Sequence, residues 1–388
     1  MNLPVERRWV HVMVSEPTPP YSESYAFAAT REGAQLEGVL LSPTVGASDT
    51  LLLMMHPAAT LQLLPLPEAL AQAGYPVLCM GSRYARNDTS LIYEKVALDL
   101  GACVRHAKES LGFRTVVLLG WSGGGSLALF YQAQAAKPWI THTPAGDPVD
   151  LLAADLPEVD GIVLDASHQS RAGMLRDWID PSVLDEANPE RRDPRLDLYS
   201  PDLPVRPPYP ADWLREYRTA QHQRIQRITS RVEEWLHALR KRGGAEVERG
   251  FVTHRTLADP RFLDTSIDPN DRRPGHCYLG LPETANTGPA GLARFSTLRS
   301  WLSQWSIEHT RANGTRCAAQ ITVPLLAIEH GGDDAVPQPE MGILYRACAS
   351  TDKQMVLIRH ATHLFSGQPA QLHEAVEHIT AWCRRHAW

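Results

Sequence analysis

Residues 115–131 read TVVLLGWSGGGSLALFY, and this is the most informative stretch of the sequence. The β-branched and leucine residues at 115–119 predict a buried strand, and the run that follows Gly125 predicts the start of a helix. Ser122 therefore stands on a strand-to-helix turn. Glycines on both sides of the serine, Gly120 and Gly124, let such a turn form without side-chain clashes. We interpret Ser122 as a candidate nucleophile.

Strand and helix patterns alternate on both sides of this turn. Short alternating stretches at residues 9–14, 25–29 and 35–41 predict opening antiparallel strands. Helical apolar spacing covers residues 91–109, and further helices are predicted from about residue 338 and over residues 368–386. Together they predict a parallel sheet with crossover helices. The buried strands of this sheet are predicted at residues 51–55, 75–81, 161–165, 321–328 and 354–358.

The alternation breaks at residues 168–318, where proline and arginine are frequent. Proline clusters at residues 201–204 and 207–210 predict irregular loops. Two apolar stripes at helical spacing predict helices, one over residues 213–239 that ends before a glycine pair and one over residues 298–305. We expect an inserted, mainly helical segment whose tryptophans mostly pack its own interior.

Net charge and composition narrow the classes of partner. The chain has 388 residues and a formal net charge of -6, with no lysine and arginine block of the kind that binds nucleic acid. No stretch reaches the roughly 18 consecutive apolar residues of a membrane span, and the first residues lack the apolar core of a signal peptide. We expect a cytoplasmic protein with a small-molecule substrate and no nucleic-acid or membrane partner, and a homodimer stays open.

Metal and cofactor motifs are missing from the sequence. The 16 histidines include no His-Glu-x-x-His pair, and the six cysteines are scattered without paired spacing. No glycine-rich phosphate-binding motif follows an early strand. The sequence therefore predicts neither a metal nor a cofactor, and we expect the cysteines to be reduced.

A serine nucleophile needs a histidine to take its proton and a carboxylate to orient that histidine. Residues 329–337, EHGGDDAVP, follow one predicted strand, and residues 359–365, RHATHLF, follow the next one. The order of serine, aspartate and histidine, together with the turn at residues 120–124, resembles the α/β-hydrolase superfamily. The resemblance implies an α/β fold with a mostly parallel eight-stranded sheet flanked by helices.

The same resemblance implies the domain boundaries and the catalytic residues. The core would be residues 1–167 and 319–388, with residues 168–318 as a large helical cap, or lid, inserted after the sixth strand. Family spacing favours Asp333 as the acid and His363 as the base. Asp334 and Asp165 stay open as alternative acids, because Asp334 is adjacent in sequence and Asp165 ends the preceding strand.

The oxyanion of a tetrahedral intermediate needs N–H donors that are fixed in advance. Gly123, directly after the serine, should supply one donor. The second normally follows the third strand of the fold, and there Pro57 has no N–H, so Ala58 is the predicted donor. We expect His56 and Trp121 to contribute to substrate binding, with His56 stabilising its loop rather than acting as a catalyst.

These features predict a serine hydrolase that cleaves a carboxylic ester of a small or medium-sized, largely apolar molecule through an acyl-enzyme on Ser122. The same triad would also serve a C–C bond hydrolase, a thioesterase, a lactonase or an amidase, which the sequence does not separate. Two alternatives come from other classes. One is a non-catalytic or slow-turnover small-molecule receptor, and the other is a lyase or cofactor-independent oxygenase.

Overall fold

The computed structural model describes residues 3–16, 21–22, 24, 29–30 and 33–388, with only the backbone of residues 29–30. Eleven strands lie in the described residues. They are β1 (Val5–Val14), β2 (Ala29–Thr30), β3 (Gly33–Pro43), β4 (Thr50–His56), β5 (Val77–Gly81), β6 (Thr115–Trp121), β7 (Gly161–Asp165), β8 (Gly250–Val252), β9 (Phe295–Thr297), β10 (Leu325–His330) and β11 (Lys353–Ile358).

Ten α-helices accompany these strands within the described residues, with a 3-10 turn at Pro260–Phe262 and a π-helix at Trp301–Trp305. The helices are α1 (Pro65–Gln72), α2 (Tyr93–Glu109), α3 (Gly123–Ala136), α4 (Arg171–Trp178), α5 (Ala211–Arg242), α6 (Pro282–Thr287), α7 (Leu298–Ser300), α8 (Gly314–Ala318), α9 (Glu340–Ala347) and α10 (Pro369–Arg385).

One large sheet has the strand order β1-β3-β5-β4-β6-β7-β10-β11, with the two-residue β2 paired to β3. Strands β5, β4, β6, β7, β10 and β11 are parallel, while β1 and β3 are antiparallel to their neighbours. The predicted mostly parallel sheet is confirmed. Residues 25–28 of the predicted strand at 25–29 lie outside the described residues.

Hydrophobic clusters cover both faces of the sheet. Val116 and Leu118 of β6 belong to the cluster on one face, whereas Val117 and Leu119 belong to the cluster on the other. Strands buried on both faces read as continuous apolar runs, and such runs located them in the sequence. The predicted ends of the strands were less accurate than their positions in the chain. The predicted strands at 75–81 and 321–328 begin later, at Val77 and Leu325, directly after Pro76 and Pro324, which have no N–H for the ladder.

The segment between β7 and β10 contains α4 to α8 and the small antiparallel sheet of β8 and β9. Its longest helix, α5, packs Ile225, Val232 and other apolar residues against Trp301 and Trp305 in a cluster of their own. The helix ends at Arg242, and Gly243 follows with a φ of 65°. Both predicted helical stripes are confirmed, and long irregular stretches connect them.

All six cysteines are buried and free, as the sequence predicted. None of the described helices combines the length and the apolar content needed to cross a bilayer.

Candidate active site

Ser122 lies between the end of β6 and the first residue of α3. Its backbone has a φ of 53° and a ψ of -122°, a conformation that is strained for a residue with a side chain. The Ser122 N–H donates to the Asp165 carbonyl at 3.0 Å, and this bond fixes the turn. A Cβ on Gly124 would come within 2.7 Å of the Met55 carbonyl oxygen. The serine is therefore held half-exposed on a sharp turn that tolerates little else.

His363 and Asp333 form a buried pair near this turn. His363 Nδ1 and Asp333 Oδ2 are 2.8 Å apart, and the other Asp333 oxygen accepts the N–H groups of Ala335 and Val336, both at 2.7 Å. Because an ionised carboxylate only accepts, the bonded His363 nitrogen carries a proton. Its Nε2 makes no hydrogen bond with the described residues. In the neutral ring that nitrogen is a free acceptor.

The surroundings of Asp333 keep it ionised. Burial alone would raise the pKa of its carboxyl, but the charge and hydrogen bond of His363, the charge of His330 and the Val336 N–H lower that pKa below the ordinary value. An ionised carboxylate holds the imidazole in the Nδ1–H tautomer, which a general base needs.

The two alternative acids are placed differently. Asp165 Oδ1 is 3.0 Å from His330 Nε2, and so this carboxylate belongs to a second histidine. Asp334 makes no described hydrogen bond to His363, and burial followed by the Asp333 charge raises the pKa of its carboxyl. Of the three carboxylates that the sequence left open, the structure joins only Asp333 to His363.

Trp121 supports the histidine rather than standing apart from it. Its Nε1–H donates to the His363 carbonyl at 3.1 Å, and the two rings have centroids 4.6 Å apart. The half-buried Trp121 ring also lies 6.0 Å from the His56 ring. Contact between Trp121 and substrate stays a prediction.

The predicted oxyanion donors have different surroundings. Gly123 is the first residue of α3, where the backbone N–H has no partner within the helix. The Ala58 N–H, in contrast, donates to His56 Nδ1 at 3.0 Å. Ala58 therefore cannot donate to an oxyanion without giving up that bond, which the prediction from chain position did not foresee.

Several solved structures are similar in fold to this chain over nearly its whole length. DcsB, in complex with its substrate analogue, matches at 12% identity and a TM-score of 0.53, covering 98% of this chain and 99% of that one. The alpha/beta hydrolase GrgF from Penicillium sp. sh18 matches at 13% identity and a TM-score of 0.51, with coverages of 98% and 99%. This chain has the α/β-hydrolase fold.

A hypothetical protein, PA2218 from Pseudomonas aeruginosa, shares this α/β-hydrolase fold at 13% identity and a TM-score of 0.50, covering 98% of this chain and 94% of that one. No protein-family model and no curated protein sequence matches the chain. At these sequence identities the similarity shows the fold but not the substrate or the reaction, which have to be inferred from the residues of the site.

Sequence patterns did not single out three further residues around His363 and Gly123, which are His168, Arg171 and Tyr278. His168 Nε2 would lie 3.3 Å from a Cβ on Gly123, and burial, followed mainly by the Arg171 charge, lowers the pKa of His168 to about 3. Tyr278 places its ring 6.1 Å from that of His363. All three come from the segment inserted into the α/β-hydrolase fold, where no motif marks them. The position of His168 just after β7, at the carboxyl edge of the sheet, was the one available signal.

Arg171 carries a buried charge beside this group of residues. It pairs with Asp88, its guanidinium carbon lies 4.4 Å from the centre of the Trp305 ring, and its Nε has no partner among the described residues. Across the described part of this α/β-hydrolase fold, no group of three or more His, Cys, Asp or Glu side chains is arranged to hold a metal ion.

Proposed function

We propose that this chain is a serine hydrolase that cleaves a carboxylic ester through an acyl-enzyme on Ser122. One observation carries the proposal: a serine on a strained strand-to-helix turn lies at the same sheet edge as a buried His363–Asp333 hydrogen bond. A free histidine nitrogen, an ionised carboxylate and an unpaired helix N–H are the parts that acyl transfer requires.

Acylation would begin when Ser122 Oγ attacks the ester carbonyl and His363 Nε2 takes the hydroxyl proton. The new C–O bond pushes the carbonyl electrons onto oxygen, and the Gly123 N–H donates to that oxyanion. Asp333 stays ionised and stabilises the imidazolium. His363 then returns the proton to the alcohol as it leaves, and the acyl group remains on the serine.

Deacylation would repeat these steps with water. His363 takes a proton from a water molecule, the resulting hydroxide attacks the acyl carbon, and the proton returns to Ser122 Oγ as the acid product leaves. Every proton passes through His363, so this route uses no metal or cofactor.

We also propose that residues 168–318 form a cap over a core of residues 1–167 and 319–388. The hydrophobic cluster of α5 and the π-helix, which includes Ala145 as its one residue from the proposed core, supports this division. Tyr278 from this segment and Trp121 from the core both place rings beside His363. Aromatic walls of this kind favour a small or medium-sized, largely apolar acyl or alcohol group.

The test is hydrolysis of p-nitrophenyl esters from acetate to decanoate by the wild type and by Ser122→Ala. We expect the variant to lose at least about 10³-fold in kcat, because the nucleophile is gone. Ser110→Ala, a change at an exposed serine, should match the wild type. Equal rates in the wild type and Ser122→Ala, or no turnover of any ester by either, would overturn the proposal.

A further inference from the structure

His56 ends β4, and its ring is held by the loop that follows. Nδ1 accepts the N–H groups of Ala58 and Ala59 at 3.0 and 2.8 Å. A ring nitrogen that accepts two N–H groups carries no proton, so the proton of the neutral imidazole is on Nε2. The tautomer of His56 is thereby assigned by its own backbone, and Nε2 is a hydrogen-bond donor.

This donor lies against the start of α3. A Cβ on Gly123 would come within 2.7 Å of His56 Nε2, closer than side chains approach one another. His56 is 9% exposed. Its Nε2–H makes no hydrogen bond with the described residues, yet Nε2 is not one of their fully buried unpaired side-chain atoms. The donor is therefore open to a ligand atom that accepts a hydrogen bond. Glycine at position 123 is what allows the imidazole to come so close to the nucleophile's helix.

We propose that the His56 Nε2–H is the second oxyanion donor, in place of the Ala58 N–H. The inference rests on the proposed function. In the tetrahedral intermediate the oxyanion would accept from the Gly123 N–H and from His56 Nε2–H, and no proton would leave either donor. The Ala58 N–H acts only through His56, because it fixes the tautomer in which Nε2 is a donor.

Burial and nearby charges keep the His56 ring neutral. Burial, followed by the charges of Arg171, His168 and His363, holds the pKa of His56 well below its ordinary value. Protonation of Nδ1 would also break both loop hydrogen bonds. His56 therefore stays neutral where the triad works, and it supplies a fixed dipole rather than a titrating charge.

Two substitutions separate the donor from the support that His56 gives its loop. In His56→Asn, the amide oxygen can still accept the loop N–H groups, but no atom reaches the Nε2 position. In His56→Gln, the amide NH₂ can reach that position. We expect Asn to lower kcat for p-nitrophenyl acetate by about 10²–10³-fold with KM within about threefold, and Gln to recover at least about tenfold of that loss.

His373→Asn on α10 is the matched control, since its side chain is exposed, and it should leave kcat unchanged. Thermal unfolding of each variant shows whether the loop persists. The assignment is overturned if His56→Asn unfolds at the same temperature as the wild type and keeps kcat within about threefold of it. It is also overturned if the kcat of His56→Gln is no higher than that of His56→Asn.

The rate at which a fluorophosphonate labels Ser122 gives a readout that needs no knowledge of the substrate, because the phosphoryl oxygen takes the oxyanion position. We expect His56→Asn to slow labelling by at least about tenfold. If the wild type neither labels nor cleaves esters, the proposed function itself fails. If the wild type labels and His56→Asn labels equally fast, only the oxyanion assignment fails.

Discussion

Two buried aspartate–histidine pairs lie at the carboxyl edge of the sheet, and they differ in how many ring nitrogens are engaged. His363 bonds to Asp333 through Nδ1 at 2.8 Å and keeps Nε2 free. His330 bonds to Asp165 through Nε2 and to the Thr362 carbonyl through Nδ1, both at 3.0 Å. A general base needs a free nitrogen, so only the first pair can take a proton from a serine.

The second pair is a support for the first. The Thr362 carbonyl only accepts, so His330 Nδ1 carries a proton, and a second proton on Nε2 would let the ring donate to Asp165 as well. Thr362 directly precedes His363, and the His330 bond therefore fixes the backbone that carries the proposed base. The His330 charge also helps to lower the pKa of Asp333. The same two residue types thus leave one histidine nitrogen free in one place and engage both nitrogens in the other.

Conversion of each aspartate to asparagine distinguishes the two pairs. In Asp333→Asn we expect kcat for p-nitrophenyl acetate to fall by about 10³–10⁴-fold, because the amide no longer selects the Nδ1–H tautomer of His363 or stabilises its imidazolium. In Asp165→Asn the loss should stay within about tenfold, since that carboxylate does not touch the base. Comparable losses in both variants would show that the two pairs act as one unit.

Replacing His330 should affect stability more than chemistry. Burial alone would lower the pKa of His330, but the charge and hydrogen bond of Asp165 raise it above its ordinary value. The folding stability that His330 contributes through this raised pKa is therefore fully present below the unfolded-state pKa of about 6.5. It is lost as the pH rises through the pKa of His330 in the folded protein. We expect His330→Gln to unfold about 3 kcal/mol more easily than the wild type at pH 5.5, because it gives buried Asp165 at best a neutral amide in place of a partner that can carry a charge.

Urea unfolding followed by circular dichroism at pH 5.5 and pH 9 measures this difference, with exposed His373→Gln as the control. The gap between the wild type and His330→Gln should narrow at the higher pH. A gap that stays constant with pH would mean that His330 is held neutral and that its role is packing against the Phe365 ring, whose centroid lies 4.4 Å away.

The sequence predicted that His363 and Asp333 would form a pair, but it did not predict the pair of His330 and Asp165. Ser122, Asp333 and His363 each follow a strand with a recognisable local pattern, and parallel strands bring their carboxyl ends to one edge. Asp165 and His330 are the last residues of β7 and β10, and nothing in their spacing says which histidine each aspartate meets. That choice is made by side-chain packing between loops that are distant in sequence.

The predicted oxyanion donors show a similar limit. Chain position correctly put Gly123 at the start of a helix, and it selected Ala58 because Pro57 has no N–H. It could not show that the Ala58 N–H would be donated to His56, since that depends on the rotamer of one side chain. His168 and Arg171 lie in an insertion whose irregular stretches carry no periodic signal.

We expect substitution of Asp334, the aspartate beside the proposed acid, to change kcat least. Asp334 makes no described hydrogen bond to His363, so Asp334→Asn should keep kcat within about twofold of the wild type. A double variant sharpens the contrast. If Asp334 could replace Asp333, then Asp333→Asn would retain activity that the added Asp334→Asn removes. We expect the double variant to match Asp333→Asn within about twofold, and a further drop of tenfold or more would show that the two neighbouring carboxylates share the role.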